Sequence, residues 1–295
     1  MGWAVTAAAA VLMMAWGAPL EAASLKVAPA HLIIHDVAPG QPYDLFKETG
    51  LKFAVYNDDD SARTWALATH RPSERGRWEL GYTEIPDASW CRFDTATVEV
   101  TPHGIANANL LIEVPPDEAY CNQQWVVTAS VGSPEGAGVS IGVDIRIQVE
   151  TAPNPHPVTP PAGDLGIYPS VVRIEAPAPG VPLTGTLMVR NNTDQPLEPQ
   201  VSRLFDHPKI DPKNYLTHGR VRLPDPARLT WSPPSAIGPG ETATISLGLT
   251  LPQDATGPGK HWEELLLIET PGHDARFARV QIGAAPAQEE AKTSE

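Results

Sequence analysis

Short segments in which apolar and polar residues alternate make up much of this chain. The clearest is VDIRIQVE (143–150), and FAVYN (53–57) shows the same alternation. A period of two residues is typical of a β-strand with one buried face. Turn-forming residues separate the segments, since the chain contains 32 Pro and 23 Gly among 295 residues. The pattern predicts an all-β protein built from short antiparallel strands.

The pattern occurs twice along the chain. SLKVAPAHLIIHDVAPGQPY (24–43) aligns without a gap with DLGIYPSVVRIEAPAPGVPL (164–183). FAVYNDDD (53–60) matches LMVRNNTD (187–194), because each is an alternating segment that ends in an Asn/Asp turn. An internal repeat of this length predicts two tandem antiparallel β-sandwiches, each with roughly seven strands.

The repeat also decides the structure of HWEELLLIET (261–270), which is compatible with a helix or a strand when it is considered alone. The first copy places CNQQWVVTASV (121–131) at the same position, with Trp125 opposite Trp262. Its β-branched residues favour a strand over a helix. We therefore predict that HWEELLLIE is a central strand, apolar on both faces, with Trp262 as a core anchor that matches Trp125.

No set of residues with catalytic geometry stands out in the sequence. His261, Glu263 and Glu264 are predicted to begin a strand rather than to form an acid/base or metal site. Ser140 lies in GVSIG, but the nucleophile motif of that form needs a strand-to-helix turn, and an alternating strand follows Ser140. The sequence predicts a protein that is not an enzyme and that binds no cofactor.

Composition and repeat together predict the organisation of the chain. The first residues hold an uncharged apolar core too short to span a bilayer, followed by small residues, as in a secretory signal peptide cleaved near Ala22 or Ala23; a buried helix is the alternative. A Pro-rich linker favours an extended, semi-rigid spacer. The predicted segments are a signal peptide (1–23), a first domain (24–150), the linker (151–163), a second domain (164–283) and a disordered tail (284–295).

The net charge limits the classes of partner that the chain can bind, and the two cysteines are interpreted from the predicted export. The formal net charge is -14, which argues against nucleic acid or an anionic membrane surface as a partner. No second long apolar segment follows the signal-like start, so no membrane span is expected in the mature chain. In an exported protein, Cys91 and Cys121 predict one disulfide, which would contribute roughly 3 to 4 kcal/mol. A zinc site is the weaker alternative, since neither thiol lies in a CxxC motif.

The order of segments in each copy resembles the immunoglobulin-like superfamily of periplasmic pilus chaperones and major-sperm-protein domains. The shared features are a Pro-Gly turn, an alternating strand ending in Asn, a second Gly turn and a final hairpin, over roughly residues 24–150 and 164–283. The resemblance implies two tandem immunoglobulin-like antiparallel β-sandwiches joined by a Pro-rich linker.

In those chaperones, the last strand of the first domain offers alternating apolar residues to an incomplete partner fold by strand addition. The resemblance implies the same role for the corresponding strand here. The alternative is that this strand fills the core of its own sandwich, which requires the same alternation. The candidate strand-donation residues are Val139, Ile141, Val143, Ile145, Ile147 and Val149.

A long irregular segment of the second copy, residues 206–228, is a second candidate for partner binding. It is basic against an acidic background, and long loops on rigid sandwiches often carry function. A surface loop without a partner is the alternative. The candidate residues are Lys209, Lys213, Tyr215, Arg220 and Arg222.

Four aromatic residues of the first copy, Trp65, Trp78, Tyr82 and Trp90, raise the question of a sugar- or protein-binding face. Sandwich cores also bury aromatic residues, so we expect most of the four to pack inside the fold.

Other polar motifs give weaker signals. His31 and His35 share one face of a predicted strand, but the sequence offers no third metal ligand. NDDD (57–60) is expected to be a solvated turn, with weak calcium binding as the alternative. Asn191-Asn192-Thr193 fits a glycosylation sequon.

The sequence thus predicts an exported, non-enzymatic structural or protein-interaction module of the periplasm or cell surface, with a protein partner in the cell envelope. A periplasmic chaperone that acts by strand donation is the first alternative. A carbohydrate-binding accessory module is the second.

Overall fold

The computed structural model describes residues 25–134, 141–158, 163–175, 181–232, 236–251 and 261–283. The predicted signal peptide and tail lie outside these residues. The prediction of an all-β fold is confirmed, since the described chain is built almost entirely from strands. Its one α-helix among the described residues, α1 (Leu45–Thr49), is capped by the side chain of Asp44. Short 3₁₀ turns occur at Ala88–Trp90, Glu118–Tyr120, Leu204–Asp206, Pro212–Asn214 and Pro226–Arg228.

The first sandwich contains two layers of strands around one core. Its larger sheet has the order β2-β12-β11-β5-β8, with β6 beside β11. The opposing layer consists of two small sheets, β1-β4-β9 and β3-β10-β7. The strands are β1 (Leu25–Ala28), β2 (His31–Val37), β3 (Tyr43–Asp44), β4 (Phe53–Asn57), β5 (Arg63–His70), β6 (Thr83–Glu84), β7 (Cys91–Phe93), β8 (Thr97–Val100), β9 (Ile105–Ala108), β10 (Leu110–Ile112), β11 (Gln124–Gly132) and β12 (Gly142–Thr151).

The second sandwich repeats this plan with fewer strands. One sheet has the order β13-β15-β19-β18, and the other has the order β14-β21-β20-β16, with β17 beside β20. The strands are β13 (Leu165–Tyr168), β14 (Val171–Ile174), β15 (Pro182–Asn191), β16 (Gln200–Arg203), β17 (Val221–Arg222), β18 (Leu229–Ser232), β19 (Thr242–Thr250), β20 (Trp262–Glu269) and β21 (Arg276–Ile282).

Matching strand pairs confirm the repeat. β2 lies parallel to β12 in the first sandwich, and β14 lies parallel to β21 in the second. The short strand β6 pairs in parallel with β11 at Trp125, just as β17 pairs with β20 at Trp262. The two tryptophans therefore occupy matching register positions, as the sequence alignment predicted.

A buried asparagine explains why the same turn recurs in both copies. The Nδ2 of Asn57 donates to the carbonyl oxygens of Ser61, Val100 and Thr101, and Asn57 Oδ1 accepts from the backbone N–H two residues later. Asn191 makes the equivalent bonds in the second copy. Because its amide is buried and fully bonded, the sequon at Asn191 cannot accept a glycan in this fold.

Each sandwich has its own apolar core. In the first, residues from Leu32 to Val149 form one cluster, and in the second, residues from Leu165 to Ile282 form another. The prediction that HWEELLLIE is a central strand is confirmed, because β20 lies between β21 and β16. Trp125 is buried in the first core, whereas Trp262 is half-buried at the margin of the second.

The Pro-rich linker packs against the sandwiches where the structure describes it. Val158 is buried with Ala119 and Tyr168. Asn122 Oδ1 accepts from the backbone N–H groups of Asn154 and Ser170, so one side chain ties the linker to the start of the second sandwich. The described part of the linker is therefore held against both sandwiches.

No helix in the described part of the chain is long and apolar enough to cross a membrane.

Candidate functional site between the two sandwiches

The two larger sheets face each other through the sides that point away from their own cores. In β20, Leu266 and Ile268 enter the core of the second sandwich, whereas Leu265 and Leu267 point the opposite way. This explains why HWEELLLIE is apolar on both faces: the outer face is covered by the first sandwich. The central side chains of this inter-sandwich face are Tyr82, Val126, Phe205, Tyr215, Leu265 and Phe277.

A buried arginine joins the sheets electrostatically. Arg279, on β21, donates from Nε to Glu150 Oε2 of β12 at 2.5 Å, and from Nη1 to Glu263 Oε2 of β20 at 3.0 Å. Its side chain is 1% exposed. We call Arg279, Glu150 and Glu263 the Arg279 clamp. Burial alone would raise the pKa of Glu150, but the charges of Arg279 and His35 outweigh it and hold that pKa well below its usual range.

Neighbouring groups complete the hydrogen bonding of both carboxylates. Tyr82 donates its hydroxyl to Glu150 Oε1 at 2.5 Å. Glu263 accepts from the backbone N–H and the hydroxyl of Thr217, both at 2.8 Å, and from Gln281 Nε2 at 2.9 Å. A buried charge is tolerated only when its bonding capacity is filled in this way, so the clamp is suited to holding the sheets together.

A second arginine reinforces the contact. Arg276 Nη2 donates to Asn122 O and Gln123 Oε1, each at 3.0 Å. In return, Gln124 Nε2 donates to the backbone oxygen of Phe277 at 3.1 Å. These buried bonds link the start of β11 to β21.

The segment 206–228 proves to be partly a structural element. Tyr215 is fully buried, and its hydroxyl oxygen lies 2.9 Å from Glu79 Oε1, to which it donates, and 3.1 Å from Leu80 O, across the inter-sandwich face. Burial and the adjacent Glu79 raise the pKa of Tyr215 well above its usual range.

The other proposed partner residues of this segment divide into two groups. Arg220 is buried and donates to the backbone oxygens of Trp262 and Ile282, while Arg222 pairs with Asp206 and Glu264. Tyr215 and Arg220 are thus buried by internal contacts, and partner binding by this segment stays a prediction. Lys209 and Lys213 are exposed.

A cleft opens at the margin of the inter-sandwich face. Its volume is 530 Å³, and its walls are residues 78–82 of the first sandwich with His207, Lys209, Ile210 and residues 274–275 of the second. Trp78 stands on this wall with 58% of its surface exposed. Of the four aromatic residues singled out in the sequence, Trp65 and Tyr82 are buried and Trp90 is half-buried, as expected. Trp78 is the exception.

The strand that was predicted to donate its side chains is mostly committed to its own core. Ile145, Ile147 and Val149 are buried inside the first sandwich. Ile141 and Val143 are half-buried at the edge of that core, and Val139 lies outside the described residues.

The backbone of β12 is paired on one side only over its first half. β11 pairs with β12 from Gly142 to Glu150, but β2 joins the other side only from Arg146 onward. No strand among the described residues flanks that side of residues 142–145. Gly142 and Asp144 are exposed, so this edge, which we call the open edge of β12, is accessible to solvent.

Glu264 is a buried polar residue that the sequence interpretation overlooked. It lies on the core face of β20 with no exposed surface, and its Oε1 has no hydrogen-bond partner. Burial raises its pKa to about 7, although Arg222 at 3.4 Å opposes the shift. The repeat could have revealed this residue. Aligning Trp262 with Trp125 places Glu264 at the position of Val127, which is buried in the first copy.

The predicted disulfide is not formed in this structure, where Cys91 and Cys121 are free thiols. Cys91 lies in the core, and burial raises the pKa of its thiol to about 12. The preceding residues, Trp90 and Tyr120, have ring centroids 4.9 Å apart, so the two thiols lie on neighbouring segments. The disulfide remains a prediction.

Residues of the remaining polar motifs make contacts within the fold. His31 Nε2 donates to Gln148 Oε1, and His35 Nδ1 contacts Glu150 Oε2 at 3.1 Å, so the two histidines have different partners. In the NDDD turn, Asp60 pairs with His103 and Asp59 with Arg63. Ser140 lies outside the described residues.

Comparisons with known proteins give only weak likenesses. No protein family and no curated protein match the sequence. Among solved structures, the chain is similar to a protein of unknown function from Porphyromonas gingivalis W83, with a TM-score of 0.33 and 17% identity over 88% of this chain and 99% of that one. It is also similar to the periplasmic chaperone SfaE, with a TM-score of 0.31 and 10% identity over 88% and 100%. PapD-like domain 7 of human CEP192 gives a TM-score of 0.31 and 11% identity over 43% and 84%.

Proposed function

We propose that this chain is an exported, non-enzymatic protein-interaction module of the periplasm or cell surface, and that it binds a protein partner along the open edge of β12. The observation that carries the proposal is the one-sided pairing of residues 142–145, next to the half-buried Ile141 and Val143. An unpaired edge offers backbone N–H and C=O groups to an added strand, and flanking apolar side chains give that strand something to pack against.

The inter-sandwich face supports a structural role rather than a catalytic one. Arg279, Glu150 and Glu263 are buried and bonded to one another and to fixed neighbours. A catalytic acid or base needs access to a substrate within hydrogen-bonding reach, which these saturated groups lack. The clamp instead fixes the two sandwiches relative to each other, so the edge is presented on a rigid frame.

Site-specific photo-crosslinking tests this proposal. Benzoylphenylalanine placed at Asp144, on the open edge, is expected to capture a discrete protein in the cell envelope of the producing organism. The same label at Glu99, an exposed residue of β8 on the opposite edge of the same sheet, serves as the matched control. Equal adducts at the two positions, or none at Asp144, would refute the proposal.

A chaperone that donates this strand is the second candidate function, favoured by the half-buried state of Ile141 and Val143. The residues available for donation are limited to these two in the described chain, since Ile145, Ile147 and Val149 fill their own core. The abundance of the captured partner separates the two functions. A chaperone's client is expected to be degraded in cells that lack this chain, whereas a partner of an interaction module persists.

A further inference from the structure

The cleft beside Trp78 has the dimensions of a ligand site, and its lining residues differ from those of the open edge of β12. Its 530 Å³ falls within the range of about 300 to 1,000 Å³ typical of small-molecule sites. Both sandwiches contribute walls, and sites between packed units are common in proteins.

Contacts within the protein hold part of the cleft wall in place. Glu79, next to Trp78, pairs with Arg146 and accepts the Tyr215 hydroxyl. Gly81 has a positive φ of 82°, and a Cβ there would come within 2.5 Å of the Phe277 ring, so the two walls meet without room for a side chain. A preformed wall reduces the ordering that binding would otherwise require.

Trp78 supplies an apolar surface with a flat face. It is 58% exposed, more than twenty times the exposed fraction of the buried Trp65 at 2%. An indole ring on a cavity wall stacks on the C–H face of a sugar ring, while its N–H remains available as a donor.

The polar groups near the Trp78 ring are better suited to binding the hydroxyl groups of a ligand than to binding an ion. Lys209 and His207 offer donors and Asp274 offers an acceptor, whereas Glu79 is already committed to Arg146 and Tyr215. A hydroxyl group both donates and accepts, so it suits a rim that carries both kinds of group. The chain's net charge of -14 disfavours a sulfated or uronic polymer.

We propose that this cleft binds a neutral oligosaccharide by stacking on Trp78, with Lys209 and Asp274 contacting its hydroxyls. The proposal is independent of the protein partner at the open edge.

A glycan array with the full chain, followed by calorimetric titration of the soluble hits, tests the inference. Neutral glycans are expected to bind. Trp78→Ala is expected to weaken binding at least about tenfold, and Trp78→Phe less, because a smaller ring retains part of the stacking. Phe46→Ala, at another exposed aromatic residue away from the cleft, is the matched control and should leave affinity unchanged.

Several outcomes would overturn the proposal. These are the absence of neutral glycans above background, binding restricted to anionic glycans, and undiminished affinity in a Trp78→Ala protein whose melting curve matches wild type. If Trp78→Ala instead abolishes the crosslink from Asp144, the cleft belongs to the protein partner and not to a sugar. Ile141→Asn should leave glycan binding intact, so failure at the open edge and failure at the cleft remain distinguishable.

Discussion

Glu264 shows how one residue departs from the repeat. The matching position in the first sandwich is Val127, which is buried in its core, whereas Glu264 places a carboxylate there with one oxygen lacking a partner. Arg222 reaches it only at 3.4 Å and also serves Asp206. A carboxyl group in such surroundings prefers its neutral form, which is why its pKa rises to about 7.

This position predicts a measurable pH dependence. Between the ordinary pKa of 4.5 and the raised value of about 7, the folded state holds a proton that the unfolded state releases. Glu264 therefore destabilises the fold increasingly as pH rises through this window. Glu264→Val should increase the free energy of unfolding relative to wild type, and the gain should be larger at pH 8 than at pH 5, by up to roughly 3 kcal/mol. Urea unfolding at both pH values measures it. A gain that is the same at both would contradict the raised pKa.

The sequence could have revealed this residue but did not. Two adjacent glutamates at the start of a strand look solvated when they are considered alone. Aligned with Val126 and Val127, both buried, they are marked as buried carboxylates in need of partners. The pairing of Arg279 with Glu150 could not be assigned from the sequence, because the two residues lie 129 positions apart in different sandwiches.

At the scale of elements, the two halves of β12 differ in their strand pairing. Its second half is flanked by β2 and β11 and fills the core, whereas its first half is paired only with β11. Alternation predicted the strand correctly, but alternation is identical for a strand that fills its own core and one that binds a partner. The two halves of β12 differ in whether β2 pairs with them. This pairing begins where His31 lies opposite Arg146.

Two isoleucines of this region should respond differently to the same substitution. Ile145→Asn places an amide in the core and is expected to destabilise the protein by about 3 kcal/mol or more. Ile141→Asn, at the half-buried edge, should cost less than about 1 kcal/mol. Chemical denaturation of the two variants measures the difference. Equal losses would mean that Ile141 is also part of the core and that the open edge is smaller than described.

On the scale of the whole molecule, the repeat predicted two sandwiches but not how they meet. The aligned motifs predict the turns and the core positions. The inter-sandwich face is formed by the outer sides of the sheets, and the repeat does not predict which residues lie there. The Pro-rich linker suggested a spacer because Pro content predicts backbone stiffness. Stiffness does not exclude contacts such as those of Asn122 with Asn154 and Ser170.

Comparing two arginines tests how the sandwiches are joined. Arg279→Met leaves Glu150 and Glu263 buried without their cation and is expected to destabilise the protein by about 3 to 5 kcal/mol. Arg173→Met removes an exposed ion pair with Asp36, also between the sandwiches, and should cost less than about 1 kcal/mol. Urea unfolding of both variants gives the comparison. Similar small losses would show that the clamp does not hold the sandwiches together.

The position of Arg279 along the chain also has a consequence for synthesis. β21 comes last of all the described strands, and it supplies Arg276, Phe277 and Arg279 to the inter-sandwich face. While the polypeptide is still emerging, Glu150 of the first sandwich lacks Arg279, its partner from β21. A nonsense mutation anywhere before residue 276 would remove β21. The outer face of the first sandwich would then lose side chains that cover it, so a truncation in the second sandwich would also affect the first.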